Sequence, residues 1–188
     1  MSHGSGENVK AYLLCSNPPE RPAGVEYACM RDLYLAFEEI FLAKVPIKNA
    51  CGHEILVFDH HFFHLAGVTV PGIDRLYMRD EKERILGLSE GFGNYEVGRS
   101  RAKHLRSVHL TFTDPDEVWE DNPKARAKWT YVKEFASDKY QFSVALVAER
   151  PEQGYIIVPV SGFPCTRGDV KKWRKGNLLY SKNTTAAG

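Results

Sequence analysis

No apolar run in these 188 residues is long enough to cross a bilayer as a helix, and no charged start followed by an apolar stretch resembles a signal peptide. The chain is therefore expected to have no membrane partner. Net charge is nearly missing as well. With 25 Lys and Arg against 24 Asp and Glu, the formal charge is +1, so a nucleic-acid partner must be held by a local patch rather than by the overall field. Cysteine is scarce: Cys15, Cys29, Cys51 and Cys165 are widely spaced and make no Cys-x-x-Cys pair, the spacing a zinc site normally shows. They read as reduced thiols, and Cys51 stands near His53 only across a turn glycine. A Walker loop, a nucleophile elbow and a dinucleotide fingerprint are all lacking, since Gly91-Phe92-Gly93 has neither the following pattern nor a preceding strand. No carboxylates are spaced for glycoside chemistry. The expected cofactor is none and the expected metal is none.

What the chain does have is histidine in one place. Asp59-His60-His61-Phe62-Phe63-His64 sets three imidazoles among aromatic rings, directly after the apolar Ile55-Leu56-Val57-Phe58. Histidine titrates nearest neutrality, and aromatic neighbours hold a ring still and partly dry. His60 to Ala66 is predicted to be a short helix, with Asp59 as its N-cap and Gly67 as its stop. His60 and His64 then share a face with metal-binding spacing, but a third ligand is missing. A proton-transfer role for His64 needs fewer coincidences. His60 and His61 read as structural residues.

Around this element the period of the pattern changes once. Leu33, Leu35, Ala36, Phe37, Ile40 and Phe41 have helical spacing from Arg31 to Lys44, after a proline-rich loop. Arg75 to Glu90 and Arg99 to Val108 are further helical stretches. Asp114-Pro115-Asp116-Glu117 carries the signature of a helix start, with Asp114 as cap and Glu117 as its third-position partner. Beyond Pro123 the residues alternate: Trp129 to Phe135, Tyr140 to Ala148 and Tyr155 to Phe163 are predicted as an antiparallel meander. Pro159 implies an edge or a bulge, and Ser161 is placed on one face with Tyr155, Ile157, Pro159 and Phe163. Helices first and strands later indicate an α+β fold, with the Tyr140–Phe163 hairpin packed beneath the Arg31–Lys44 helix. Residues 1–30 are expected to be a flexible leader and proline-rich loop, 31–182 a single domain, and 183–188 a disordered tail.

Two basic groups stand out. One is Arg99, Arg101, Lys103, His104 and Arg106; the other is Arg167, Lys171, Lys172, Arg174 and Lys175 around Trp173. Charge runs of this kind are most often solvated surface. Cations interleaved with an aromatic also suit RNA, where bases stack and phosphates pair.

The order of these pieces resembles a known family. A Phe-His-Leu-x-Gly element is followed by a basic helix, Asp-Pro-Asp-Glu-Val-Trp, a Trp-x-Tyr strand, two strands ending in Ser-x-Phe-Pro, and a Lys-Gly-x-Leu-Leu-Tyr tail. From Ala36 to Tyr180 this is similar to the phage-associated nuclease domains of the barnase–EndoU–colicin–RelE (BECR) superfamily. The resemblance implies N-terminal helices packed on a curved antiparallel sheet of four or so strands. It also implies a metal-independent endoribonuclease, toxin-like or phage-encoded, that cleaves tRNA or other structured RNA by 2′-hydroxyl attack to a cyclic phosphate. Carried over by position, the implied catalytic residues are His64, Arg101, Lys103, His104, Tyr131 and Ser161. The expected RNA-binding residues are Arg167, Lys171, Lys172, Trp173 and Arg174. Expected partners are RNA and an immunity or antitoxin protein, and the expected site of action is the cytoplasm, reached by phage or secretion delivery. Two features depart from the family pattern: the domain is not markedly basic, and the doubled His60-His61 is not part of it. The rival reading is a non-catalytic RNA- or protein-binding module with a lapsed site. A third is a histidine–cysteine metalloenzyme.

Overall fold

Residues 17–125, 127–137 and 139–185 are described by the computed structural model. The leader through residue 16, with Cys15, and the tail from 186 lie outside them. Helix α1 (Met30–Phe37) runs on as a π-helical turn, Glu38–Leu42, because Leu33, Tyr34, Phe37 and Phe41 recur at helical spacing and all are fully buried. Then follow β1 (Ile47–Lys48), β2 (Glu54–Ile55), α2 (His61–Ala66), β3 (Val68–Thr69), α3 (Met78–Gly87), β4 (Glu96–Val97), α4 (Arg99–Lys103) and α5 (Leu105–Thr113). The strand-rich half comprises β5 (Glu117–Glu120), β6 (Trp129–Glu134), β7 (Phe142–Arg150), β8 (Ile156–Cys165), α6 (Arg167–Val170), β9 (Asn177–Ser181) and α7 (Lys182–Thr185).

The expected meander is present: β6, β7 and β8 pair in antiparallel succession. It is the middle of a larger sheet than expected, seven strands in the order β1-β2-β8-β7-β6-β5-β9, and β2 joins β8 in parallel at Ile55↔Ile157. The additional strands are two to five residues long, too short to show a period. The sheet curls so far that His53, at the β1–β2 turn, meets Trp129 and Tyr131 of β6. The fold is α+β.

Alternation along the strands sorts side chains into two cores. Trp129, Tyr131, Ala145 and Val147 face the helices. Val132, Val144, Leu146, Phe142 and Trp119 face away, under Val170 and Trp173. Helix α5 covers β7 and β8, while α2 and α4 cover β8; α1 packs on α2 and α3 instead. The hairpin therefore lies beneath α5 and not beneath the Arg31–Lys44 helix. Gly162 allows the close approach: a Cβ there would stand 2.2 Å from Val108 Cγ1.

Three local expectations are corrected. Asp114 starts no helix, since Glu117–Glu120 is a strand paired on both sides, with β6 and β9. The Asp114 carboxylate binds Lys133 (2.9 Å) and Lys182 (2.6 Å) instead. Asp59 does not cap α2, which begins after His60 without a side-chain cap, and its carboxylate pairs with Lys82. Ser161 does not share a face with Ile157 and Pro159. The bulge on β8 inserts Val160 between Val147↔Pro159 and Leu146↔Ser161, and one extra residue turns everything beyond it over. That bulge is also what accommodates Pro159.

Candidate active site

The centre of the site follows from how α2 ends. Phe62, Phe63, Leu65 and Ala66 are buried, which leaves His64 on the outer face. Gly67 closes the helix in the left-handed region at φ 67°, as expected of a glycine stop. The chain then enters the β3–β4 ribbon, Val68↔Val97 and Thr69↔Glu96. That pairing brings Gly98 back to Gly67, where its N–H donates to the Gly67 carbonyl at 2.8 Å. Helix α4 starts at this point, and Arg101 Nη1 donates to the His64 carbonyl at 3.2 Å. Two residues 37 apart in sequence thus become neighbours through a two-residue ribbon.

Both line a cleft of about 1940 Å³. His60, His64, Gly98 and Arg101 line it together with residues of the segment from Ile73 to Glu83, which leads into α3. Burial, the Arg101 charge and His60 together push the His64 pKa below the ordinary 6.5. His64 is therefore neutral at pH 7 and able to accept a proton, with a cation beside it. Burial also lowers the Arg101 pKa, but a guanidinium remains charged.

His61 has a different task. It is 5 % exposed, and its Nδ1 accepts the Phe58 N–H at 2.9 Å. Burial and its cationic neighbours lower its pKa to about 3. It is a structural imidazole, as expected. His60 is less confined: it stacks on Phe58 with ring centroids 5.7 Å apart and faces the cleft.

Of the six residues expected to converge, only His64 and Arg101 line this cleft. Lys103 binds Glu26 at 2.8 Å. His104 separates α4 from α5, with its ring against Tyr140 and Nδ1 without a partner among the described residues. Tyr131 is fully buried, its hydroxyl hydrogen-bonded to His53 Nδ1, and burial raises its pKa. An interior strand residue facing the helices cannot reach an open cleft. Ser161 shares a face with Phe163, whose ring lies under the Arg101 guanidinium at 5.6 Å.

The second basic group meets the first through that ring. Phe163 packs on Trp173 at 5.2 Å, and Lys172 Nζ lies over Trp173 at 5.8 Å. Arg167 and Lys171 are exposed. Arg174 is committed elsewhere: it grips Glu117 in a two-pronged pair, both contacts 2.8 Å, with Glu117 also accepting from Trp119 Nε1. Sequence reasoning missed the cleft's aromatic wall, Phe58 and Tyr77, and the carboxylates of Asp74 and Glu83 beside it. Their only signal was an exposed tyrosine within a charge-rich stretch, which reads as solvated surface.

Among the described residues no three His, Cys, Asp or Glu side chains are grouped as a metal would need. No curated protein and no solved structure matches the chain. Residues 52–181, well over half of it, match the family described as phage-Barnase-EndoU-ColicinE5/D-RelE like nuclease2 (PBECR2). The chain belongs to this nuclease family.

Proposed function

We propose that this nuclease is a metal-independent endoribonuclease of tRNA or other structured RNA, with His64 and Arg101 at its centre. One juxtaposition supports the reading: an imidazole held neutral beside a guanidinium, in a cleft large enough for a nucleotide. His64 takes the proton from a ribose 2′-hydroxyl as that oxygen attacks the adjacent phosphorus. The bond from phosphorus to the next nucleotide's 5′-oxygen breaks, and a 2′,3′-cyclic phosphate remains. The departing oxygen takes a proton, and we assign its donor as His60, which lines the same cleft. Arg101 offsets the charge that gathers on the non-bridging oxygens. Flanking RNA would pass over Phe163 and Trp173 toward Arg167, Lys171 and Lys172. In the setting suggested by the family, the protein is a toxin-like or phage-encoded nuclease. It would act in a cytoplasm after phage or secretion delivery, and an immunity or antitoxin protein would restrain it.

The rival is a binding module without catalysis. It draws on the residues that are occupied, with Lys103 tied to Glu26, Arg174 to Glu117, and Tyr131 sealed in the core. Kinetics on purified protein separate the two. His64→Ala should cut cleavage by roughly 10²–10⁴-fold while RNA binding persists. Arg101→Ala should weaken both, and should reduce the slope of log affinity against log salt by about one. Wild-type protein that binds RNA and leaves it intact would favour the rival.

A further inference from the structure

We propose that the α3 side of the cleft is a subsite for an unpaired nucleobase, so that the substrate must present a single-stranded nucleotide at the cut. The inference rests on the ribonuclease reading above and names the form of RNA it takes. Three large apolar side chains that water would normally disfavour line the cleft with His64 and Arg101: Ile73, 51 % exposed, and Tyr77, 60 %, come from the segment leading into α3, and Phe58, 41 %, from just before α2. Exposed rings gathered in one concavity indicate a ligand surface. Phe58 already lies parallel to the ring of His60, the proposed acid, with 10° between the planes.

Charge gives the ligand an orientation. The lining holds Arg75, Arg79, Lys82 and Arg101 against Asp59, Asp74, Asp80 and Glu83. Lys82 pairs with Asp59 and Arg79 with Asp80. The Asp74 and Glu83 side chains make no hydrogen bond or ion pair among the described residues, and both belong to the stretch that leads into and forms α3. Free carboxylates accept hydrogen bonds from the exocyclic amines of cytosine or adenine. The phosphate belongs at His64 and Arg101, where the proposed chemistry takes place, and the nucleobase against Tyr77 and the carboxylates. A paired base offers neither a free face nor a free amine. Stacking on aromatic side chains with cations along the backbone is how single-stranded nucleic acid is generally held.

The test uses the intact protein and short RNAs whose scissile ribose is 2′-deoxy, so that binding is read without cleavage, with a fluorescent adenine analogue at the adjacent position. Wild-type protein should quench the analogue and should bind the unpaired oligonucleotide more tightly than the same sequence closed in a duplex. Tyr77→Ala should weaken that binding by roughly 5- to 100-fold, the worth of one base–aromatic stack, and Tyr77→Phe should restore it. Tyr77 is 60 % exposed and outside the core, so its variants leave the fold in place; Phe58→Ala should act in the same direction. Asp74→Asn should reduce the preference for cytosine and adenine over uracil. Equal affinity for duplex and single strand, or Tyr77→Ala binding like wild type, would overturn the subsite, as would an inhibitor protein as the only occupant of this surface. The underlying reading fails differently: it falls if His64→Ala cleaves normally, even where Tyr77→Ala weakens binding.

Discussion

Three histidines within five residues sit in three different settings, and burial sets His61 apart from the other two. His61 is enclosed and held neutral, His64 is exposed on the outer face of α2 beside a cation, and His60 stacks on an exposed ring. The sign of the pH effects follows. His61 binds a proton in the unfolded chain below about 6.5 but in the native protein only near pH 3. Its contribution to stability is complete above pH 6.5 and is lost as pH falls toward 3, by up to about 1.4 kcal/mol per pH unit. Urea titrations between pH 7 and 4 should show that decline, and His61→Leu should make it shallower by one proton's worth. An unchanged slope would mean that His61 is already accessible. For His64 the lowered pKa extends activity below the pH at which an ordinary histidine base would be protonated. Arg101→Gln removes one of the causes of the lowering, so the acid limb of kcat/KM should move upward in pH. The sequence singled out His64 because aromatic neighbours suggest a dry, rigid setting; the structure buries those neighbours and leaves His64 on the outer face of α2. Arg101 entered only through family resemblance, since nothing local distinguishes it from Arg99 or Arg106.

At the scale of elements, alternation exposed the β6–β8 meander, while short elements without a period stayed hidden. The Asp114–Glu117 signature misleads for a physical reason: local capping is worth about 1 kcal/mol, whereas β5 is paired along its whole length on both sides. The buried ammonium of Lys133, 3 % exposed, draws the Asp114 and Asp116 carboxylates to itself. The bulge at Val160 is the other hidden feature. Proline marked it, but its consequence for Ser161 depends on which residue is extra, and that is set by the pairing with β7. Gly162, just beyond, lets α5 sit close to β8. Gly162→Ala would place a methyl against Val108, a β-branched helix residue with little rotamer freedom. Chemical denaturation should report a loss of about 1–3 kcal/mol, with Val108→Ala restoring part of it in the double variant. A neutral Gly162→Ala would show that α5 is more loosely seated.

At the scale of the molecule, a curled seven-strand sheet carries helices on one face and a small second core on the other. The proposed site lies at neither core but at the margin of β8, where α2 and α4 meet. A segment outside the family match supports that margin. Arg21 donates to the Tyr140 and Phe142 carbonyls at 2.9 and 2.7 Å, and the Val25 N–H donates to the Lys103 carbonyl at 3.0 Å. The near balance of charge also belongs at this scale. Without a strong global field, RNA must be selected by the cleft and the Phe163–Trp173 surface, and modest salt sensitivity is the expected result.

The chemistry of the new RNA ends tests this account most directly. Purified protein incubated with total RNA in excess EDTA should produce 2′,3′-cyclic phosphate and 5′-hydroxyl ends at unpaired nucleotides, and His64→Ala protein should yield almost none. Cleavage that EDTA abolishes, or ends bearing a 5′-phosphate, would contradict it.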